Sequence, residues 1–424
     1  MQNQNVIKTF KQICQIPHCS YHTEKLGDFL IALLKELGCE VSVDEERNIY
    51  AYKGKPKLCL QAHYDMVCVG NAPKIDVVKK DGFLFAKNST LGADDGIGVA
   101  IALEMLREFD DLEVIFTNNE EVGLMGASNC NFKTKSKKLL NLDSESDDSV
   151  IVGCAGGVDI MLHANFKSKK EKLFFYEISL SGLPGGHSGL DITKNRPNAI
   201  KELAKFIYQN RGYVAKFSGG ERRNSIPVGA FAVVGFEKEL KENSKYQIKA
   251  LGLKDDEVLD DDFRLLKFIC TFAQGVRSYD ESVGSAQDSI NLSVLNATTK
   301  EVSIQLFPRS MSKEGLENTK FETELLAETF GFKTAFANQT PPWQPILNDF
   351  SHIVLDEFAK IKKDVKFEAV HAGLECGILM EKDKELHSCS IGPNIYGPHS
   401  INEKVELASV ALITDVVRAI IKRV

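Results

Sequence analysis

Leu112-Glu113-Val114-Ile115-Phe116-Thr117-Asn118-Asn119-Glu120-Glu121-Val122-Gly123 is an apolar run of strand length that breaks into two adjacent glutamates. A short apolar run bounded by turn residues reads as a buried strand. Carboxylates leaving such a strand are costly unless they are solvated, paired or coordinating. Upstream, residues 22–37 place Leu26, Phe29, Leu30, Leu33, Leu34 and Leu37 at helical spacing, and Gly38 stops the run. Short strands follow at 39–44, 48–53, 57–63 and 82–86, then a helix over 95–108. Downstream, Lys138-Leu139-Leu140-Asn141-Leu142-Asp143 reads as a further strand. Strands alternating with helices predict an α/β sandwich with a mixed, largely parallel sheet.

The character changes near residue 172, where Lys172 to Leu180 has a long strand pattern followed by a glycine-rich turn. A helix from Pro197, placed at its first position, to about Asn210 is expected. Strands at 228–236, 288–296 and 300–307 alternate with helices at 257–274 and 313–330, which reads as a smaller α+β domain. Thr340-Pro341-Pro342-Trp343 makes a joint, after which helices at 346–361 and 403–423 and strands at 366–370 and 387–391 are expected. Trp343 reads as packing at that hinge. The favoured layout is an α/β domain, 1–174 and 343–424, interrupted by a lid domain, 175–342; a linear chain of two or three domains is the alternative.

The 424 residues suit two domains, and 43% hydrophobic with 26% charged residues is ordinary for a globular protein. A net charge of -7 gives no reason to expect nucleic acid or an anionic membrane as partner. No apolar run reaches bilayer length, and the polar start Met1-Gln2-Asn3-Gln4-Asn5 lacks a signal-peptide pattern, so a cytoplasmic location is expected. Ten cysteines are scattered without a CxxC pair, several inside apolar runs, and read as free and buried.

Four more segments carry chemistry. Leu60-Gln61-Ala62-His63-Tyr64-Asp65 ends a strand, so His63 and Asp65 share a face, and a ligating histidine commonly donates its other ring N–H to such a carboxylate. Thr90-Leu91-Gly92-Ala93-Asp94-Asp95-Gly96 sets two carboxylates in a glycine-rich turn before a helix, as caps or as ligands. Asp143 ends an apolar strand, and Gly392-Pro393-Asn394-Ile395-Tyr396-Gly397-Pro398-His399-Ser400 delivers His399 from a rigid loop. Each alone also reads as a surface or capping feature. Together they supply two histidines, three carboxylates and a spare glutamate, a set that suits two zinc ions.

The order His-x-Asp, Gly-Ala-Asp, Glu-Glu, Asp and late Pro-His-Ser resembles the co-catalytic zinc metallopeptidases that include carboxypeptidase G, aminoacylase, tripeptidase T and aminoacyl-histidine dipeptidase. Gly185-Gly186-His187-Ser188-Gly189 and His371-Ala372-Gly373-Leu374-Glu375-Cys376-Gly377 look like the last branch. Asp95 departs from it, since Asn often stands there, and the chain is somewhat short for it. The resemblance implies that His63 and Asp143 hold one metal, Glu121 and His399 the other, and Asp94 bridges them with a cis bond to Asp95. It implies that Asp65 orients His63, Glu120 is the general base, and His187 stabilises the oxyanion from the same or a neighbouring subunit. Arg309 and Asn224 read either as binding a substrate carboxylate and backbone or as plain surface or turn residues, His371 and Glu375 are implied to line the substrate pocket, and His18, His22, His163, His352 and His387 read as structural or solvated. The implied cofactors are two divalent ions, zinc first, cobalt or manganese next. The implied partner is a dipeptide or another small peptide, Xaa-His or broader, and the implied assembly is a homodimer. An aminoacylase or tripeptidase, and a non-catalytic peptide- or metal-binding relative, are the alternatives.

Overall fold

The computed structural model describes residues 3–241, 243–281 and 284–424. Met1 and Gln2 of the polar start lie outside that range. Contacts divide the chain into two compact units. The first comprises Met1–Cys154, Trp343–Ala369 and Leu374–Val424; the second comprises Ala155–Pro342 and Val370–Gly373. The change of unit therefore falls at Cys154, ahead of the expected 174, because strands Gly156–Asn165 and Lys167–Leu180 both pair within the second unit's sheet. The return falls at Trp343, just after Pro341-Pro342. Trp343 is buried and exchanges backbone hydrogen bonds with Cys154 at 2.8 and 2.9 Å.

The first unit is built on an eight-stranded mixed sheet. Strand Cys59–His63 lies between Leu112–Thr117 and Lys138–Asn141, parallel to both, and Lys138–Asn141 is parallel to His387–Ser390. These central strands are buried on both faces, which is why they read as continuous apolar runs. Parallel strands release their following loops at one edge of the sheet, where open α/β sheets place functional side chains. The helix Ala93–Glu108 is buried from Ala93 through Leu106 and needs no polar face. Against it packs helix Asn3–Ile13, which the composition-led reading of the start overlooks. Its Val6, Phe10 and Ile13 are buried at i, i+4, i+7, a pattern present in the sequence.

The second unit is an antiparallel sheet of nine strands with helices Ala199–Gln209, Arg264–Thr271 and Lys313–Thr329. Two expectations need correction. The helix predicted from 257 begins only at Arg264, because strand Gln247–Asp260 pairs along Lys167–Leu180 through Asp260. The helix predicted from Pro197 starts at Ala199. Asn198 is its cap, its side chain accepting the N–H groups of Ile200 and Lys201 at 3.0 and 3.3 Å.

Cysteine usage also differs. Cys14, Cys39, Cys59, Cys130, Cys154, Cys270, Cys376 and Cys389 keep their thiols, but Cys19 and Cys68 form a disulfide. Backbone pairing around Met66 brings them together: Met66 N–H donates to His18 O and Ser20 N–H to Met66 O, both at 3.1 Å. A separation of 49 residues with no local motif hides such a pair from the sequence. Closing a loop of that length stabilises by about 2–4 kcal/mol. Cys68→Ser is therefore expected to lower the thermal midpoint, and reductant is expected to bring wild type down to the variant. Midpoints that coincide without reductant would show that the bond contributes nothing.

Candidate metal centre

The four parallel strands deliver the acidic and histidine residues to a common place. His63 is the last residue of Cys59–His63, level with Thr117 in the neighbouring strand, after which the chain turns into Glu120 and Glu121. Asp143 follows Lys138–Asn141, and His399 follows His387–Ser390 in the loop after it. Asp94 enters at the start of the buried helix, and its peptide bond to Asp95 is cis, as the resemblance implies.

Asp94 faces both histidines. Its Oδ1 is 3.1 Å from His63 Nε2 and its Oδ2 is 3.1 Å from His399 Nε2. Asp143 Oδ1 lies 3.4 Å from His63 Nε2, and Glu121 Oε1 lies 2.8 Å from His399 Nε2. Glu120 Oε2 stands further back, 4.0 Å from His63 Nε2. His63, Asp94 and Glu121 each offer an atom within 4.8 Å of the others. All five expected ligands are thus brought together in the first unit.

A metal fits this donor set better than hydrogen bonds do. One Nε2–H cannot serve Asp94 and Asp143 at once, whereas an unprotonated Nε2 and both carboxylates can share a cation. Ligands of a tetrahedral zinc bonded at 2.0–2.2 Å stand about 3.3 Å apart, close to the spacings seen here. Asp95 Oδ2, next to the ligand set, is buried without a hydrogen bond. The His63 tautomer agrees: its Nδ1 is 3.1 Å from the backbone carbonyl of Asp65 and 3.6 Å from Asp65 Oδ1. In the neutral ring that a cation requires, Nδ1 therefore carries the proton and Nε2 the lone pair. The expectation placed the Asp65 carboxylate in that role; the nearer acceptor is its carbonyl.

The Asp65 carboxylate is used elsewhere. It accepts Ser20 Oγ–H at 2.7 Å and the backbone N–H groups of Glu120 and Glu121 at 2.9 and 3.3 Å. It thereby fixes the Glu-Glu turn against the His63 strand. Without cations, electrostatics in the cluster are frustrated. Burial would hold the His63 imidazolium low, but Asp143, Asp65 and Asp94 raise it well above its ordinary value. Burial pushes Asp143 up to about 8, against the pull of His63. Burial likewise drives Glu120 well up, opposed by His63 and reinforced by Glu121 and Asp143.

Glu375 is not on an open pocket wall. It is fully buried and accepts hydrogen bonds from Gln61 Nε2 and Thr117 Oγ1, each at 2.5 Å. Gln61, Thr117 and Ser20 support the centre and carry no motif of their own. Gln61 and Thr117 are legible only as polar residues inside apolar strands.

The second unit gathers three further expected residues. His187 Nδ1 accepts the N–H groups of Gly189 and Leu190 at 3.3 and 3.1 Å, so its neutral ring carries the proton on Nε2. That Nε2 is 3.3 Å from the Arg309 guanidinium. Two donors side by side suit an anionic oxygen. His371 is buried with Nε2 2.7 Å from Ser289 Oγ. Asn224 is exposed and engages the loop through its backbone, its carbonyl accepting Ser188 N–H at 2.7 Å.

Burial, aided by Arg309, lowers His371 from 6.5 to about 4. Between these values the unfolded chain binds a proton that the folded chain refuses. The neutral ring's contribution is complete above about 6.5 and is lost as pH falls through about 4, about 3 kcal/mol in all. His371→Gln is expected to flatten the pH dependence of unfolding in that window relative to wild type. Parallel curves would refute a neutral His371.

The model of "Peptidase family M28" matches residues 48–163, the stretch that holds His63, Asp94, Glu120, Glu121 and Asp143. The cytosol non-specific dipeptidase of Escherichia coli (strain K12) is 32% identical over 467 aligned residues, covering 97% of this chain and 96% of that protein. Aminoacylhistidine dipeptidase from Vibrio alginolyticus superposes with a TM-score of 0.81 at 28% identity, covering 99% of this chain and 96% of its own. A tripeptidase from Staphylococcus aureus shares the fold at a TM-score of 0.59 and 18% identity, over 99% and 98% of the two chains.

Proposed function

Because the chain belongs to the family of the cytosol non-specific dipeptidase and is a peptide hydrolase, we propose that it cleaves dipeptides, Xaa-His or broader, with two divalent cations, zinc first. The observation that carries this reading is the Asp94 carboxylate, whose two oxygens each face a different histidine. His63 and Asp143 would hold one ion, Glu121 and His399 the other, and Asp94 both. Bound there, the ions supply Lewis acidity that acidifies a water and polarises the scissile carbonyl.

The chain's own residues do the rest. Glu120, close to the ligands but outside the closest contacts, takes the proton from the attacking water at its carboxylate and passes it to the leaving amine. Asp65 holds the Glu120 backbone and, through its carbonyl, the His63 ring. The second unit has a lid's role, with His187 Nε2–H donating to the oxyanion. Arg309 pairs with a substrate carboxylate, while Asn224 and His371 shape its surroundings. Glu375 acts from behind, beside Glu120. A homodimer is part of this reading.

The reading keeps the chain in the cytoplasm, as the relative's name suggests. Structural disulfides persist in oxidising compartments, so the Cys19–Cys68 bond is taken as reducible there. No described helix is long and apolar enough to cross a membrane.

The deciding experiment measures metal per chain together with hydrolysis of a panel: Xaa-His and other dipeptides, β-Ala-His, tripeptides and N-acyl amino acids. Two ions and preference for dipeptides are expected. Preference for N-acyl amino acids or tripeptides would move the chain to another activity on this scaffold. No hydrolysis with saturating zinc, manganese or cobalt would make it a binding protein.

A further inference from the structure

Glu403 lies four positions beyond His399 and is buried to 2% exposure. Its carboxylate accepts three consecutive backbone N–H groups: Leu91 at 2.7 Å and Gly92 at 3.1 Å on Oε2, and Ala93 at 2.7 Å on Oε1. These residues immediately precede Asp94. Gly92 sits at φ 70, and a Cβ there would come within 2.9 Å of Met66 Sδ, so the loop can take this path only with glycine. Three successive N–H groups turned inward form a concavity that requires an anion. Here the anion comes from the chain itself.

The other end of Glu403 belongs to the His399 loop. Its backbone N–H donates to Ser400 O at 3.1 Å, closing the turn behind His399, which itself sits at φ 58. One side chain therefore ties the backbone that carries Asp94 to the backbone that carries His399. These two residues come from different elements and meet directly only through their side chains, Asp94 Oδ2 and His399 Nε2 at 3.1 Å. We propose that Glu403 is a positioning residue that sets the distance between Asp94 and His399, and so governs the cation held by Asp94, Glu121 and His399. His63 and Asp143 are placed by strands of the sheet and do not depend on it.

The inference rests on the metal-centre reading above, and its test separates the two. Zinc is titrated calorimetrically into metal-stripped wild type, Glu403→Gln and Glu113→Gln, with thermal midpoints recorded for each. Glu113 is the control: a fully buried carboxylate that accepts Lys135 and Ser136 N–H at 2.9 and 2.7 Å and Tyr50 O–H at 2.5 Å, its hydrogen bonds going to residues outside the centre. Wild type is expected to take two ions. Removing support behind a ligand typically weakens metal binding 10–100-fold. Glu403→Gln is expected to show about that loss for the ion that His399 helps to hold and a smaller loss for the other, which shares only Asp94 with the Glu403 contacts, with turnover recovered at excess zinc. Glu113→Gln is expected to lower the midpoint while binding both ions as wild type does. If Glu403→Gln does not fold, Glu403→Asp, which keeps the charge and shortens the reach, must show the same selective loss. Two ions bound by the Glu403 variant at wild-type affinity, or equal weakening in the Glu113 control, overturns the inference alone. A wild type that binds no zinc overturns the metal-centre reading and the inference with it.

Discussion

Glu120→Gln is expected to lower turnover by about 10²–10⁴-fold, the contribution of a positioned general base, while leaving metal content and KM near wild type. The substitution keeps the side chain's length and shape and removes only its capacity to take a proton. Glu120 is not among the three residues whose donor atoms converge within 4.8 Å, and its Oε2 stands 4.0 Å from His63 Nε2. The backbone at Glu120 is fixed independently by the Asp65 carboxylate at 2.9 Å, so the turn should survive the change. Loss of metal along with activity would make Glu120 a ligand. Turnover within threefold of wild type would remove it from the reaction.

The contrast between Glu120 and Glu121 shows how far sequence reasoning reaches. Two adjacent glutamates after a buried strand announce an acidic site, and successive side chains must diverge. Which one meets His399 follows from the turn at Asn119, at φ 54, and from the Asp65 clamp on both N–H groups. The five candidate ligands are legible because each sits at a strand end, in a loop after a strand or in the turn before a helix, and the strand periodicities are plain. Their convergence requires the parallel order of Cys59–His63, Leu112–Thr117, Lys138–Asn141 and His387–Ser390, which no single segment encodes.

What stays hidden are partnerships between distant residues that lack a motif. Glu403 reads as one acid among many until the N–H groups of Leu91 to Ala93 turn toward it. Cys19 and Cys68 read as two more apolar thiols. Gln247–Asp260 is misread at its end because Val258 and Leu259 run into the helix that begins at Arg264, and only pairing with Lys169 and Ser168 assigns them to a strand.

Asp94→Ala should be the most damaging single change at the centre, because it acts on both halves. The carboxylate stands 3.1 Å from each of two histidines that otherwise have separate partners, Asp143 for His63 and Glu121 for His399. Removing it takes one anionic ligand from each ion and leaves both ions to repel each other with no charge between them. Metal content is expected to fall from two ions to one or none per chain. Lewis-acid stabilisation worth several kcal/mol goes with it, and each 1.4 kcal/mol is tenfold, so turnover should fall by about 10³-fold or more. Asp143→Ala is the informative comparison, since of the two histidines it is His63 that Asp143 is placed against, at 3.4 Å. It should weaken one ion and leave the Glu121–His399 ion in place. Metal analysis of the two variants after identical dialysis distinguishes the cases. If Asp94→Ala retains both ions, or if Asp143→Ala strips both while Asp94→Ala strips one, the carboxylate that faces two histidines does not bridge two metals.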